Sequence, residues 1–454
     1  MAGLALGVGL GLTRRAFPIG AGAVAGGGTA GGSGGSSGGG SGGPRALLLV
    51  AHGQSNARSR GAVVTPPGDV PDALRTFNGG SENPNDGKAI GLDAFIALAP
   101  WSDPQDEEAI APGFAIAAGD RWQRIVAYTS ARGSTPYAGL MTGTGPAQTM
   151  LAAIERGHAL LRVEGYVPDA IDIAVVFDHG EADAHAGTSG ADYLAALADL
   201  RESLDFHVPV LTGHAGRVPV LLAHPVYTGT NGNQAPWLAV QDAHVEAHDT
   251  LADMHALGPK YAYAHEADGV HMSGDGAGLS TGVSRADEGK RPWGEWIAHR
   301  LAEALDGDGE GGELVRLDTV AWEGGTLTTT WRSPSGAVAL DASGFYNRDT
   351  AGGHPGSSMG VELVANGASV ALSNPVASGG TVTFDTALAA SGSVREVRVA
   401  RMAWPGGLQA TQGFGADPQN QRNKLPRANV RDASLVGLPS GDRGLFAINE
   451  TRTF

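Results

Sequence analysis

Apolar residues in this chain follow two different rhythms. Between residues 45 and 306, short near-continuous apolar runs alternate with stretches in which apolar positions recur at helical spacing. Ala46-Leu47-Leu48-Leu49-Val50, Arg124-Ile125-Val126-Ala127-Tyr128, Ile171-Asp172-Ile173-Ala174-Val175-Val176-Phe177 and Val218-Pro219-Val220-Leu221-Leu222 are each short enough for a buried strand. Helical spacing falls on 148–162 (Met150, Leu151, Ile154, Leu160, Leu161), 191–204 (Tyr193, Leu194, Leu197, Leu200, Leu204) and 292–305 (Trp293, Trp296, Ile297, Leu301). Strands apolar on both faces, alternating with amphipathic helices, predict an α/β unit whose parallel sheet is covered on both sides.

After Asp306-Gly307-Asp308-Gly309 the rhythm shortens. Segments such as Thr326-Leu327-Thr328-Thr329-Thr330-Trp331, Val361-Glu362-Leu363-Val364 and Val394-Arg395-Glu396-Val397-Arg398-Val399 are separated by Gly, Ser, Asn and Pro, which predicts a small all-β, sandwich-like unit. The tail from about Trp404 is rich in Gly, Pro and Asn and is expected to be irregular. Residues 20–43 are almost entirely Gly, Ser and Ala, with nothing to bury, and read as a flexible tether. The expected division is a glycine-rich leader (1–44), an α/β unit (45–308) and a β-rich C-terminal unit (309–454).

Composition narrows the possibilities. A length of 454 residues suits two or three units, and 42% hydrophobic residues suffice for a core. The 71 glycines, about twice an average share, agree with a long tether and many loops. A formal charge of −16 repels phosphate backbones and anionic lipid, so nucleic acid is not an expected partner. The absence of cysteine excludes disulfides, thiolate nucleophiles and zinc–thiolate sites. No run approaches the ~20 apolar residues of a membrane-spanning helix. Thr13-Arg14-Arg15-Ala16-Phe17, with Ala23-Val24-Ala25 beyond it, resembles a twin-arginine export signal, but Pro18 and the weakly apolar Gly/Ala region favour a plain leader. Leaders of this kind occur on phage tail-associated proteins, so an exported or virion-associated location is expected.

Four polar clusters sit where chemistry is expected, because ligands of open parallel sheets bind beyond the carboxyl ends of strands. Gly53-Gln54-Ser55-Asn56 ends the first strand, Gly133-Ser134-Thr135 follows the second, His179-Gly180-Glu181-Ala182-Asp183 ends the third, and Asp268-Gly269-Val270-His271 precedes the last helix. A serine hydroxyl becomes a nucleophile when an imidazole takes its proton, and the imidazole needs a carboxylate to fix its tautomer. Ser55, His271 and Asp268 supply these three groups, the last two only three positions apart. Backbone amides of Ser55 and Gly133 are candidate oxyanion donors, each worth a few kcal/mol in the transition state. Ser55 taken alone would suit a helix N-cap. His179, Asp183 and His185 have a spacing that invites a metal, but a fourth ligand is not evident, and no metal or cofactor is expected. Trp293 and Trp296 read as helix core, whereas Trp101, Tyr137, Tyr227 and Trp237 fall in predicted loops near the sheet edge. His52, His224, His244, His248 and His265 have no assignable role.

Taken in order, the four clusters resemble the blocks of SGNH hydrolases of the sialate O-acetylesterase-like carbohydrate esterase branch: Gly-Gln-Ser-Asn, a Gly-Gly-Thr-Ser-like loop, Gln-Gly-Glu-Ser-Asp and Asp-Gly-x-His. The resemblance covers 45–306. It implies a three-layer, flavodoxin-like fold with Ser55 as nucleophile, His271 as base and Asp268 as its orienting acid. It further implies an oxyanion hole made by Ser55, Gly133 and a third-block side chain, here His179, with Gln54, Asn56 and Glu181 in support. The second block reads Arg132-Gly133-Ser134-Thr135, so only its second glycine matches, and His179 stands where the family carries Gln. Glu181 is the alternative acidic partner; Asp268 is preferred because its link to His271 is local. The implied substrate is an O-acylated glycan losing acetyl or another short acyl group through an acyl-enzyme. The rival expectation is a non-catalytic glycan-binding or structural module of a phage tail that keeps the hydrolase fold. In that case the leader or the C-terminal unit would serve virion or cell-surface assembly.

Overall fold

Strand β1 (Ala46–Gly53) has all eight residues buried, which requires cover on both of its faces. The computed structural model describes residues 44–58, 69–78, 91–98, 110–225, 235–260, 290–307, 312–341, 359–387, 395–399, 430–443, 445–448 and 450–454. Within these, β1 is joined by β2 (Leu74–Phe77), β3 (Phe95–Ala97), β4 (Arg124–Ala131), β5 (Ile171–Asp178), β6 (Val220–His224) and β7 (Met254–Pro259), in spatial order β3-β2-β4-β1-β5-β6-β7. Every pairing in this sheet is parallel except that of β2 with β3.

Alternation along β1 sorts the layers. Leu47, Leu49 and Ala51 share a cluster with Phe114 of α1 (Ile110–Ala118), while Leu48 and Val50, on the opposite face, share one with Met150 and Ile154 of α2 (Gly145–Val163). The chain continues through the short α3 (Glu181–Ala186), then α4 (Gly190–Thr212), α5 (Ala235–Thr250) and α6 (Lys290–Asp306). Leu197 and Leu204 of α4 and Val240 of α5 pack on the α2 side; Trp293, Trp296 and Leu301 of α6 pack on the α1 side. The helices α1 and α6 meet glycine to glycine. A Cβ on Gly113 would lie 2.0 Å from Arg291 O and one on Gly294 2.1 Å from Ile110 O, so any side chain at either position would push the helices apart.

The remaining described chain is all strand: β8 (Arg316–Glu323), β9 (Thr326–Arg332), β10 (Val338–Leu340), β11 (Val361–Ala365), β12 (Ala368–Val370), β13 (Leu372–Ser378), β14 (Thr381–Thr386), β15 (Arg395–Val399), β16 (Val430–Asp432), β17 (Val436–Leu438), β18 (Gly441–Arg443) and β19 (Glu450–Thr453). Two four-stranded antiparallel sheets, β13-β14-β9-β8 and β12-β11-β15-β19, are accompanied by the pairs β10-β16 and β17-β18. Leu317, Leu327, Val382 and Phe384 from the first sheet merge with Leu363, Val397 and Val399 from the second in one buried cluster. The same cluster contains Leu47, Trp293 and Trp296, so the core runs without a break from the α/β part into the β-rich part.

The expected α/β unit followed by a β-rich one is the observed architecture, with three differences. The helix expected at 191–204 runs on to Thr212 with Pro209 inside it. The elements α1, α5, β2, β3 and β7 have no counterpart in the periodicity. The tail is not irregular throughout: β19 pairs with β15, and β16 with β10. These partners lie some fifty to ninety positions away, so the pairing leaves little trace in the local pattern.

Candidate active site

The rim above β1 is assembled by register. Gly53 pairs with Ala131 on one side and Asp178 on the other, Asp178 pairs with Ala223, and His224 pairs with Pro259. The carboxyl ends of β4, β1, β5, β6 and β7 are therefore level. From β1 the chain goes to β2 and the edge strand β3, returns to β4 beside β1, and then crosses to β5 on the other side of β1. This makes β1 the switch point at which an open α/β sheet leaves a crevice.

Gly53 allows the chain to turn there. It adopts φ +135°, and a Cβ would lie 2.1 Å from Asp178 O. Gln54 N then donates to Asp178 O at 3.0 Å, Ala57 N to Gln54 O at 3.0 Å and Arg58 N to Ser55 O at 3.2 Å, so Ser55 rides on a tight turn. Gln54 and Asn56 are each 2% exposed, whereas Ser55 keeps 8% and is the least buried of the three.

Glu181 explains the burial of the other two. Its Oε2 accepts from Gln54 Nε2 at 2.6 Å, and its Oε1 from Asn56 Nδ2 at 3.4 Å and Lys260 Nζ at 3.1 Å. Gln54 Oε1 in return accepts from Ala182 N at 3.1 Å. Lys260, one residue beyond β7, also donates to Asp178 Oδ1 at 2.6 Å. All three charged groups are buried. Burial alone would lower the Lys260 ammonium, but Asp178 and then Glu181 hold it above the ordinary lysine range. Burial pushes the Asp178 carboxyl above the ordinary aspartate range, with Lys260 opposing and Glu181 adding to the rise. Lys290 Nζ donates to Arg58 O at 2.7 Å, securing the far end of the turn.

The second loop is tied to the same brace. Arg132 N donates to Gly53 O at 3.0 Å, so Ser55 and Gly133 each stand two residues past the paired Gly53 and Ala131. Thr135 O is 2.9 Å from His179 Nε2, Thr135 Oγ1 donates to Gly133 O at 3.0 Å, and Tyr137 N donates to Asp183 Oδ2 at 2.8 Å. The backbone between them is strained: Ser134, which is not glycine, has φ +53°. Among the described residues, a Cβ on Gly133 would meet only Arg58 Nη1, at 3.8 Å.

Ser55, Gln54, Asn56, Gly133, His179 and Glu181 come together at one rim. Asp268 and His271 lie outside the described residues, as do Trp101 and Tyr227. His179 has a different job from the one expected. Its ring is fully buried, Nδ1 lies 2.9 Å from Tyr193 Oη and Nε2 faces Thr135 O, so both nitrogens are engaged within the protein and neither is left for an oxyanion. Tyr137 is buried with its hydroxyl donating to Asp199 Oδ2 at 2.7 Å, and Trp237 is buried in α5; neither is an open loop residue. Trp293 and Trp296 are helix core, as expected. Among the described residues, no group of three or more His, Asp or Glu side chains is arranged to hold a metal ion. Asp178, Tyr193, His244 and Lys260 were not singled out from the sequence. Asp178 was visible as the polar end of an apolar run, but Lys260 closes Met254–Pro259, whose histidine, glycine and proline hide a strand.

No protein-family model matches the chain, and no curated protein matches it in sequence. Among solved structures, a carbohydrate acetylesterase from Xanthomonas citri has a similar fold, with a TM-score of 0.50 and 14% identity over 89% of this chain and 80% of that one. A protein from Arabidopsis thaliana is matched with a TM-score of 0.39 and 15% identity, over 57% of this chain and 99% of that one. The first similarity is one of fold alone.

Proposed function

We propose that this protein is a serine esterase of the SGNH type that removes acetyl or another short acyl group from O-acylated carbohydrate. The observation that carries the reading is the turn bearing Ser55 at the switch point of the sheet, with the Gly133 loop beside it and both braced by the block 179–183. Such bracing is what a nucleophile and an oxyanion donor require, since misplacement by about 1 Å lowers rates by about a hundredfold. The fold shared with a carbohydrate acetylesterase supports the substrate class.

In this mechanism Ser55 Oγ attacks the acyl carbonyl while its proton passes to His271. The amides of Ser55 and Gly133 stabilise the oxyanion, and collapse expels the sugar oxygen, which takes the proton from His271 and leaves as a hydroxyl. Water, deprotonated by His271, then cleaves the acyl-enzyme to release the free acid and Ser55. Asp268 orients His271. The engagement of Glu181 with Gln54, Asn56 and Lys260 supports a bracing role for that carboxylate rather than the part of acidic partner. His179 is left out of the oxyanion hole for the reason given above.

The test is a fluorophosphonate probe read out by peptide mass, together with hydrolysis of p-nitrophenyl acetate. Modification at Ser55, and loss of both signals in Ser55→Ala, is the expected result. Undiminished hydrolysis by Ser55→Ala would refute the assignment. A folded wild-type protein that is neither labelled nor active would favour the non-catalytic glycan-binding module.

A further inference from the structure

The rings around His179 form a buried polar chain that the proposed reaction does not use directly. His179 stacks on Tyr193 (centroids 5.8 Å, interplanar 8°), and Tyr193 stacks on His244 (5.4 Å, 14°). Tyr193 Oη lies 2.9 Å from His179 Nδ1 and 3.1 Å from His244 Nε2, and all three side chains are fully buried. Burial holds both imidazoles below the ordinary histidine range, so each is neutral and carries one ring proton.

Hydrogen-bond direction along the chain then has a single solution. Thr135 O is a carbonyl and can only accept, so His179 Nε2 must carry the proton. His179 Nδ1 is therefore a bare lone pair, and Tyr193 O–H must donate to it. With its proton spent, Tyr193 Oη can only accept at its other contact, so His244 Nε2–H donates to it. The remaining nitrogen, His244 Nδ1, is a bare acceptor with no partner among the described residues.

We infer that His179 is a positioning residue: its Nε2–H, held on Thr135 O, keeps the Gly133 loop in the geometry the oxyanion needs, and the Tyr193–His244 pair braces the ring from its other nitrogen. The inference deepens the esterase reading and rests on it for its effect on rate. The loop needs such a hold because Ser134 sits in the left-handed region, a conformation that persists only where surroundings over-determine it. His179 anchors Thr135 by its carbonyl, and the Thr135 hydroxyl reaches back to Gly133 O. Removing the Tyr193 hydroxyl leaves the ring stack in place but strips Nδ1 of its donor, so the ring is then held by Nε2–H alone.

The experiment uses the full chain. Nitrogen-15 NMR of histidine-labelled protein reads the His179 tautomer without reference to activity, and steady-state hydrolysis of p-nitrophenyl acetate gives kcat and KM separately. Wild type is expected to show His179 protonated at Nε2. Tyr193→Phe is expected to keep the Nε2 proton, to shift the Nδ1 resonance as that nitrogen loses its hydrogen bond, and to lower kcat by about ten- to a hundredfold, the range that follows from displacing a supporting loop, with KM little changed. His179→Gln, whose amide N–H can serve Thr135 O in place of Nε2–H, is expected to keep activity. In that background Tyr193→Phe should change kcat by no more than about twofold, the margin within which uncoupled substitutions add. An Nδ1-protonated wild-type His179 overturns the inference, as does a Tyr193→Phe variant with unchanged kcat. Equal losses from Tyr193→Phe in both backgrounds overturn it too. If wild type shows neither Ser55 labelling nor hydrolysis, it is the esterase reading that fails; the NMR result then decides the Nε2–H anchor by itself.

Discussion

Replacing Lys260 with methionine tests the brace beneath the nucleophile turn. The substitution keeps an unbranched chain of similar length but deletes the buried ammonium that faces Asp178 at 2.6 Å and Glu181 at 3.1 Å. Two carboxylates are then left together in the interior with their nearest counter-charge removed and only the weaker pull of Lys290 on Asp178 remaining. Breaking a buried ion pair by removing one partner costs about 3–5 kcal/mol. With a urea slope of about 3 kcal/mol/M, the unfolding midpoint of Lys260→Met should fall by roughly 1 M or more at pH 7. The pH dependence supplies a sign. Burial already raises Asp178 above its unfolded value, so its contribution favours the fold at low pH and is lost as pH rises through the raised folded value. Without the opposing ammonium the rise is larger, so the deficit of the variant relative to wild type should be greatest at neutral pH. It should shrink as acid protonates Asp178. The assay is a pair of urea titrations, followed by tryptophan fluorescence, repeated at falling pH. A midpoint within about 0.3 M of wild type at pH 7, or a deficit that does not change with pH, would refute the picture of a charged, buried triad.

Two further outcomes follow from the same rim. In Gly53→Ala, the new Cβ meets Asp178 O in a backbone conformation that alanine rarely adopts; a loss of about 3 kcal/mol or more, seen in a thermal melt, and loss of Ser55 labelling are expected. Unchanged melting would mean that the β1–β5 rim is looser than described. His52 is held at about 4 by burial against an ordinary 6.5, so the unfolded chain takes a proton there before the folded one does. Stability is whole above 6.5 and falls by about 3 kcal/mol as pH drops to 4. His52→Gln should remove that slope, and equal acid sensitivity of the two proteins would contradict it.

How far the sequence could carry the reading is clear from particular elements. The apolar runs at 46–50, 124–128 and 171–177 could be nothing but buried strands, because their burial on both faces is written into consecutive residues. The polar residues that close them, Ser55, Gly133 and the block from His179 to Asp183, were legible for the same reason: they mark where an apolar run meets a rim. Met254–Pro259 and the tail strands stayed hidden because their burial is conferred by partners far along the chain. Met254–Pro259 has too mixed a composition to signal a strand by itself.

What only the tertiary structure decided is the division of labour at the rim. Ser55, Gln54 and Asn56 are adjacent letters of one motif, yet Gln54 and Asn56 are the two that reach Glu181, and Gly53 turns the chain there against Asp178 O. His179 in sequence is a donor of unknown aim; in space Tyr193 takes one nitrogen and Thr135 the other. A hydrogen bond depends on position and direction across more than a hundred residues of chain, and residue type alone carries neither. Periodicity records which side of an element is dry, and so it predicts layers. It holds no record of which two polar groups will share a proton.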